Sequence, residues 1–392
     1  TPTTPSRLPS LPHTITVAML GLLVMAGTRI TISLYALSIN LSAFQVGSMI
    51  AMFSLLPMFL AVSAGRWLDR AGVTLPLATG ALALCAGTAL ATWQGHYFRL
   101  YVAAALVGIG FMLVLVISQN VVGQAGPAEQ RTNRFTTLSL VLAAASFAAP
   151  VMAGYLIDHL RHQIAFLLFA AVALVLLACT RLPPFRQLPA PAPAASTPAS
   201  RRGALALFWH ERGLRTVYLI NIILASSWDC FMFATPILGH ARGFSASTIG
   251  LILGSFSIAT FVIRFLMPVL TRAFSAWQIL CAALLVACLG FLLLPWQQEA
   301  ASMMATGFML GLALGASQPN MLSLLFQGAP EGRAGEVLGI RVTIGNASQV
   351  VIPLAFGALS SGLGMTPVFL FVSLLLAGGV WLARQMLVAE AR

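Results

Sequence analysis

Two charged residues stand deep inside long apolar stretches of this sequence. Arg29 lies within the apolar stretch 14–37, and Asp229 lies at a similar depth within the stretch 214–239. A charged side chain inside a bilayer costs about 3 kcal/mol or more unless it is paired or hydrated, so such residues mark binding sites and ion pathways. We therefore predict that Arg29 and Asp229 bind a substrate or a coupling ion. The alternative is a static ion pair between two helices.

Polar and aromatic side chains accompany this pair on the apolar stretches. Such groups can line a cavity for an amphipathic, aromatic or anionic solute, and Phe231 and Phe233 would add aromatic surface. Each of them can equally bond between helices or pack in a core, and an arginine near a span end can extend its head group to the membrane surface. The further candidates for substrate binding or coupling are Tyr35, Gln119, Asn120, Asn221, Trp228, Gln318, Asn320 and Arg341.

Other kinds of chemistry find no support in the sequence. The cysteines show no CxxC spacing, so neither a zinc site nor a disulfide framework is indicated, and we expect no metal and no cofactor. The chain has no lysine and cannot complete the GxxxxGK[ST] phosphate-binding loop of an ATPase. No Ser, His and Asp arrangement suggests hydrolysis. We expect neither an enzyme nor a nucleic-acid-binding protein.

The composition identifies the medium in which these residues lie. Of 392 residues, 59% are hydrophobic and 8% are charged, and the mean hydropathy is +0.93, which excludes a soluble globular protein. A bilayer span needs about 20 predominantly apolar residues. The apolar stretches predict an all-α membrane protein with twelve transmembrane helices at 14–37, 43–65, 73–93, 99–123, 132–157, 162–180, 214–239, 245–269, 274–295, 300–326, 333–358 and 365–388.

The arginines are distributed unevenly between the two sides of this arrangement. Fifteen fall on the side that holds both termini and three on the other, and the remaining three lie within spans. Arginine accumulates in cytoplasmic loops, so we predict cytoplasmic termini. Heavy use of Ala and Arg without Lys is typical of a GC-rich bacterial genome, and with the predicted topology it predicts a protein of the bacterial inner membrane. We expect the protein to contact membrane lipids and to be a monomer.

A Pro/Ala-rich linker at residues 181–213 divides the chain into a first bundle at 1–180 and a second at 214–392. Its composition is typical of an extended linker. Leu205, Phe208 and Trp209 near its end predict a short helix lying on anionic lipid, with a disordered loop as the alternative.

The two predicted bundles carry matching residues. An offset of 203 aligns Gly47 with Gly250, and it aligns Pro150 and Gly154 with their counterparts in the second half. This pattern predicts a parallel repeat of six spans, related by an axis along the membrane normal. The predicted helix-packing positions are Pro150, Gly154, Pro353 and Gly357.

A motif follows the second predicted span. Gly65, Asp69, Arg70 and Gly72 match the pattern G-x-x-x-D-R-x-G. In this motif, the twelve spans, the linker and the repeat, the chain resembles the major facilitator superfamily over essentially its whole length. The resemblance implies two six-helix bundles in which spans one, four, seven and ten line a central cavity. It also implies a tight loop after span two, in which Asp69 caps the start of span eleven near Glu336 and braces the outward-facing state.

The chain also departs from this family. Ala104 stands where the fourth span usually carries an arginine, so the usual charge partner is absent. The antiporter motif of the fifth span is retained only as small residues around Pro150 and Gly154, which allow close packing and a proline kink. The fifth-span pattern is the one feature of the sequence that favours export over uptake.

Together these observations predict a secondary active transporter that moves a small organic, amphipathic or anionic solute by alternating access, with proton coupling. Ion-coupled uptake of an organic acid or similar metabolite is the first alternative. A transporter-like membrane sensor or assembly factor without flux is the alternative from another class.

Overall fold

The computed structural model describes residues 11–93, 96–124, 131–181, 212–328 and 334–390, and these are helical except in short connections. Within these ranges the chain forms twelve long α-helices, a short 3₁₀ turn at Leu294–Trp296 and no strand. The helices are α1 (Leu11–Ser38), α2 (Ala43–Ala71), α3 (Thr74–Thr92), α4 (Phe98–Gln124), α5 (Arg131–His159), α6 (His162–Thr180), α7 (Arg212–Ala241), α8 (Ala246–Ala273), α9 (Ala276–Leu293), α10 (Ala300–Gln327), α11 (Ala334–Leu363) and α12 (Met365–Glu390).

Each predicted span corresponds to one helix, which confirms the all-α fold class. Among the described residues, eleven of the twelve helices are long and apolar enough to cross a membrane. The twelfth is α11, and some of its side chains lie outside the described residues. Lipid offers no hydrogen bonds to the backbone, so a helix is the form in which an apolar stretch can cross it. The protein is therefore a multi-pass membrane protein.

The G-x-x-x-D-R-x-G segment differs from the loop that we predicted. The helix α2 continues through Gly65 to Ala71, and the chain turns only at Gly72, which has a φ of 72°. Gly72 donates its N–H to the Leu68 carbonyl at 3.0 Å, and α3 begins two residues later. A glycine inside a helix costs only about 1 kcal/mol, whereas the left-handed position at the helix end favours glycine strongly. The predicted loop at 65–71 is therefore wrong.

The predicted brace joins Asp69 to the start of α11 near Glu336. The side chains of Asp69, Arg70 and Glu336 lie outside the described residues. The brace stays a prediction.

The described residues form two compact units. The first comprises the described parts of Thr1–Asn40, Met49–Ala195 and Ser245–Gly250, and the second those of Leu41–Ser48, Ser196–Phe244 and Leu251–Arg392. The start of α2 thus belongs to the second unit and the start of α8 to the first. Residues 182–211, which hold most of the predicted linker and its interfacial helix, lie outside the described residues. The predicted boundaries at 180 and 214 stay predictions.

Within the first unit, α1 packs against α4, α5 and α6, and α3 packs against α4 and α6. The ring of Phe169 on α6 lies over Gly27 on α1, where a Cβ atom would come within 2.1 Å of it. The Phe169 ring therefore packs α6 closely against α1.

Within the second unit, the same contacts recur between the matching helices. The helix α7 packs against α10, α11 and α12, and α9 packs against α10 and α12. The offset of 203 recurs in detail, because a Cβ on Gly108 would lie 2.1 Å from the Phe53 carbonyl oxygen and one on Gly311 would lie 2.3 Å from that of Phe256. The sequence repeat is thus also a repeat of helix contacts.

Candidate substrate and coupling site

Asp229 is buried within the second unit, with 7% of its surface exposed, on the long helix α7. Its carboxylate oxygen Oδ2 accepts a hydrogen bond of 2.7 Å from the Ser348 hydroxyl on α11. A buried carboxylate needs such donors, because burial without them costs several kcal/mol. Ser348 is a residue of the site that the sequence analysis missed.

A second hydrogen bond fixes the register of the two helices that carry this pair. The Tyr218 hydroxyl on α7 donates to the Val337 carbonyl on α11 at 3.0 Å. Both bonds join residues that are 119 positions apart, as expected for parallel helices. Eleven residues along a helix make about three turns and about 16 Å. The Asp229 site is therefore held by a face of α7 that follows α11 over three turns.

An aromatic cluster includes Trp228, the residue before Asp229 on α7. The ring of Trp228, which is half-buried, meets Phe256 edge-on at 4.8 Å between centroids, and Phe231 stacks on Phe256 at 4.7 Å. Phe231 and Phe233 are fully buried in the core, so the expectation that they line a cavity is wrong. Both rings contribute a large apolar area to the core around α7.

The predicted amide residues fall into different environments. Asn221 on α7 and Asn320 on α10 are buried, and the Asn320 amide donates to the Ala316 carbonyl of its own helix at 2.9 Å. Asn120 is half-buried, whereas Gln119 and Gln318, which precede the two asparagines in the repeat, are exposed. The buried Asn320 thus uses one donor within α10.

Two candidates lie on α1 in the first unit. Arg29 and Tyr35 are both half-buried. The Tyr35 ring packs against α6, 5.4 Å from the ring of His162 and 6.4 Å from that of Phe166. Arg29 and Asp229 belong to different units, and their common role stays a prediction.

Arg341 lies on α11, seven residues before Ser348, and is half-buried. Seven residues make about two helical turns, so both side chains project from the same side of α11. The Nε atom of Arg341 is buried and has no hydrogen-bond partner among the described residues. A guanidinium donor in this position suits a carboxylate or phosphate of a bound solute.

Arg242 lies in the connection between α7 and α8 and contacts the turn after α9 and the start of α10. Its guanidinium donates to the carbonyls of Leu294 at 3.1 Å and Pro295 at 2.8 Å, and it contacts the Met303 sulfur at 3.1 Å. Partial burial lowers the pKa of the Arg242 guanidinium from its ordinary value. Arg242 therefore caps the turn after α9, a role that the sequence analysis missed.

The predicted helix-packing residues lie at close backbone contacts. A Cβ on Gly154 would lie 2.3 Å from the Ala246 carbonyl oxygen, and one on Gly357 would lie 2.8 Å from that of Ala43. Pro150 and Pro353 contribute carbonyls to the same contacts, facing Gly250 and Gly47 respectively. In the described part of the chain, no group of three or more His, Cys, Asp or Glu residues could hold a metal ion.

The sequence profile of the Major Facilitator Superfamily matches this chain over residues 14–351 and again over 217–390. Among curated proteins, a probable vesicular acetylcholine transporter-B from Danio rerio is 27% identical over 133 residues, a match that covers 33% of this chain and 27% of that protein.

Several solved transporters share the fold. The nucleoside transporter NupG superposes with a TM-score of 0.79 at 11% identity, over 96% of this chain and 100% of its own. A POT family transporter in complex with a thioalcohol-conjugated peptide gives 0.78 at 15% identity, over 97% and 96% of the two chains. A bacterial homologue of the human lysosomal transporter Spinster gives 0.76 at 13% identity, over 98% and 97%.

Proposed function

Since this chain belongs to the Major Facilitator Superfamily, we propose that it is a secondary active transporter that moves a small organic solute by alternating access and couples that movement to protons. The structural neighbours with the same fold are named as transporters, among them a peptide transporter and a nucleoside transporter.

The observation that best supports proton coupling is the hydrogen bond that Ser348 donates to the buried Asp229. A serine hydroxyl can donate to an ionised carboxylate or accept from a protonated one, because it is both a donor and an acceptor. Ser348 can therefore keep its contact with Asp229 in both protonation states. A carboxylate inside a span with such a partner suits a group that gains and loses a proton in each cycle.

The arginines favour an anionic or amphipathic solute. Within the second unit, Arg341 offers a buried Nε donor that no described residue occupies, and Asn221, Trp228 and Asn320 supply polar and aromatic surface. Within the first unit, the candidates that we propose for the same solute are Arg29, Tyr35 and Asn120. Ion-coupled uptake of an organic acid is the second candidate, because an arginine donor suits a carboxylate.

We place the protein in a bacterial inner membrane with both termini in the cytoplasm. The support is the excess of arginine on the side of the termini, fifteen against three. We further propose that Asp69 braces one conformer through the start of α11.

Flux measurements in proteoliposomes test this proposal. The purified chain is reconstituted with a set of labelled peptides, nucleosides and organic acids, with and without an imposed pH gradient. Uphill accumulation that depends on the gradient supports a proton-coupled transporter, and its direction distinguishes export from uptake. Solute binding without flux for any member of the set would instead favour the sensor or assembly factor.

A further inference from the structure

The repeat forms the same helix contact twice, once in each unit. By the predicted topology, α5 and α11 end, and α2 and α8 begin, on the side opposite the termini, which we call the outer face. In the first unit the start of α8 packs on the end of α5, and in the second unit the start of α2 packs on the end of α11. The residues that form the two contacts are related by the offset of 203: Ala43 and Ala246, Phe44 and Ser247, Gly47 and Gly250, Pro150 and Pro353, Gly154 and Gly357, Asp158 and Ser361.

Both contacts bring backbone against backbone. A Cβ on Gly250 would lie 2.4 Å from the Pro150 carbonyl oxygen in the α5–α8 contact, and one on Gly47 would lie 2.1 Å from the Pro353 carbonyl oxygen in the α2–α11 contact. Any side chain larger than hydrogen at these positions would force the helices apart. The glycines thus permit the same close approach in both halves.

The two contacts differ in how they cap the entering helix. In the α5–α8 contact, the Asp158 carboxylate accepts hydrogen bonds from the backbone N–H groups of Ala246 at 2.9 Å and of Ser247 at 2.7 Å. Asp158 is ionised at neutral pH, and a negative charge at a helix N-terminus is favoured by the helix dipole. Two orphan N–H groups of α8 are therefore satisfied by a charged partner.

In the α2–α11 contact, the residue that corresponds to Asp158 is Ser361. Its hydroxyl accepts one hydrogen bond, from the Phe44 N–H at 3.0 Å, and donates to the Gly357 carbonyl at 2.9 Å. This cap is neutral and satisfies one N–H group instead of two. Hydrogen bonds that involve an ionised group are roughly twice as strong as neutral ones, so the Asp158 cap is the stronger of the two.

We propose that these contacts are two latches of unequal strength, and that the outer face opens first at the α2–α11 contact, while Asp158 holds the α5–α8 contact closed. The inference rests on the alternating access proposed above, because a transporter of that kind must separate these helices to open its outer face. The order of opening then depends on one pair of corresponding residues, Asp158 in the first half and Ser361 in the second.

Distance measurements between spin labels test this inference. One pair of labels at Ile39 and Leu363 reports on the α2–α11 contact, and a second pair at Leu160 and Ala241 reports on the α5–α8 contact. All four residues lie at or next to helix ends on the outer face. In the unmodified protein, a long-distance population should be larger for the first pair than for the second.

Exchange of the two caps provides the matched comparison. Asp158→Ser should raise the open fraction at Leu160–Ala241 about fivefold, since a helix cap contributes about 1 kcal/mol. Ser361→Asp should lower the open fraction at Ile39–Leu363 by a similar factor, and the double exchange should reverse the order of opening. Asp158→Asn, which keeps an acceptor but removes the charge, should give an intermediate opening if the substitution with serine proves unstable.

Equal open fractions for the two pairs, or caps whose exchange leaves both fractions unchanged, would overturn the inference. These measurements need neither substrate nor flux. A protein that shows the ordered opening but no proton-dependent transport would contradict the proposed coupling and leave the latches in place.

Discussion

At the scale of single residues, Ser348 and Asp229 illustrate how a buried charge is retained in a membrane protein. The Ser348 hydroxyl reaches Asp229 from another helix, at 2.7 Å. Nothing in the local sequence around Asp229 reveals this partner, because serine is common in transmembrane helices and the two positions are 119 residues apart. The burial of Asp229 was predictable from its place in an apolar stretch, whereas its partner depends on the register of α7 against α11.

Removal of the Ser348 hydroxyl should affect coupling as well as stability. Ser348→Ala leaves the buried carboxylate with one donor fewer, so the free energy of unfolding should fall by about 1–3 kcal/mol and the dependence of transport on pH should shift. Ser348→Thr keeps a hydroxyl and should restore both. Thermal unfolding in detergent and flux as a function of pH measure these effects.

Ser360→Ala is the matched control for this substitution. The Ser360 hydroxyl donates only to the Gly357 carbonyl of its own helix among the hydrogen bonds described, at 3.1 Å. Its removal should change neither the unfolding free energy by more than about 0.5 kcal/mol nor the pH dependence. A pH profile that is the same for Ser348→Ala and the unmodified protein would exclude Ser348 from coupling.

Arg242 is a residue whose role is structural. Arg242→Ala removes hydrogen bonds to two carbonyls at the end of α9, so we expect a loss of about 1–3 kcal/mol in the free energy of unfolding. Arg242→Lys should recover only part of it, because an ammonium cannot reproduce the fork of a guanidinium. Thermal unfolding measures this loss. Arg161→Ala is the control, because Arg161 is exposed in the connection between α5 and α6. Equal stabilities of the alanine and lysine variants would contradict the forked geometry.

At the scale of helices, the apolar stretches predict where the chain crosses the membrane, and most bounds agree within a few residues. The exceptions have a physical cause. The helix α2 continues through Gly65, because the residues after it have no preference strong enough to end a helix before the left-handed position of Gly72. Hydropathy reports where the apolar part ends, and a helix can extend beyond it into polar surroundings.

The close contact at Gly47 predicts a specific effect on conformation. Gly47→Ala would place a methyl group 2.1 Å from the Pro353 carbonyl oxygen, so the start of α2 must move away from α11. The open fraction at the outer face should rise and transport should slow. Spin-label distances and flux measure the two effects.

Gly378→Ala on α12 is the control for this substitution, because a Cβ there would meet nothing within 4 Å. An alanine in a helix is favoured over glycine by about 1 kcal/mol, so this variant should be as stable as the unmodified protein or more so. Equal distance distributions for Gly47→Ala and Gly378→Ala would show that the close approach has no influence on opening.

At the scale of the whole molecule, the offset of 203 was visible in the sequence as a set of matching glycines and prolines. The sequence did not reveal that these residues contact the helix starts, Gly154 with Ala246 and Gly357 with Ala43. It also gave no sign of Asp158 as a cap, because the N–H groups that it binds are 88 and 89 residues away. Periodicity predicts helices and repeats, whereas the partners of a capping side chain depend on how distant helices pack.

The distribution of arginine predicts the orientation of the whole molecule. Two exposed positions suit single-cysteine labelling: Gln298, between α9 and α10, and Ala273, at the end of α8. In a background without the native cysteines, an impermeant thiol reagent added to intact cells should label only the cysteine at 298. Labelling of the cysteine at 273 alone would reverse the orientation, and labelling of both would contradict the predicted spans.

Proton coupling through Asp229 is tested most directly by the proton movement that accompanies addition of a transported solute, measured with a pH-sensitive dye. The unmodified protein, Asp229→Asn, Arg29→Ala and the double variant are compared in the same liposomes. If Asp229 carries the coupled proton, Asp229→Asn abolishes the solute-induced proton signal and uphill transport but retains exchange, Arg29→Ala chiefly weakens affinity for anionic solutes, and the double variant shows no recovery. An unchanged proton signal in Asp229→Asn, or recovery of transport in the double variant, would contradict this account and leave the two residues as a structural pair.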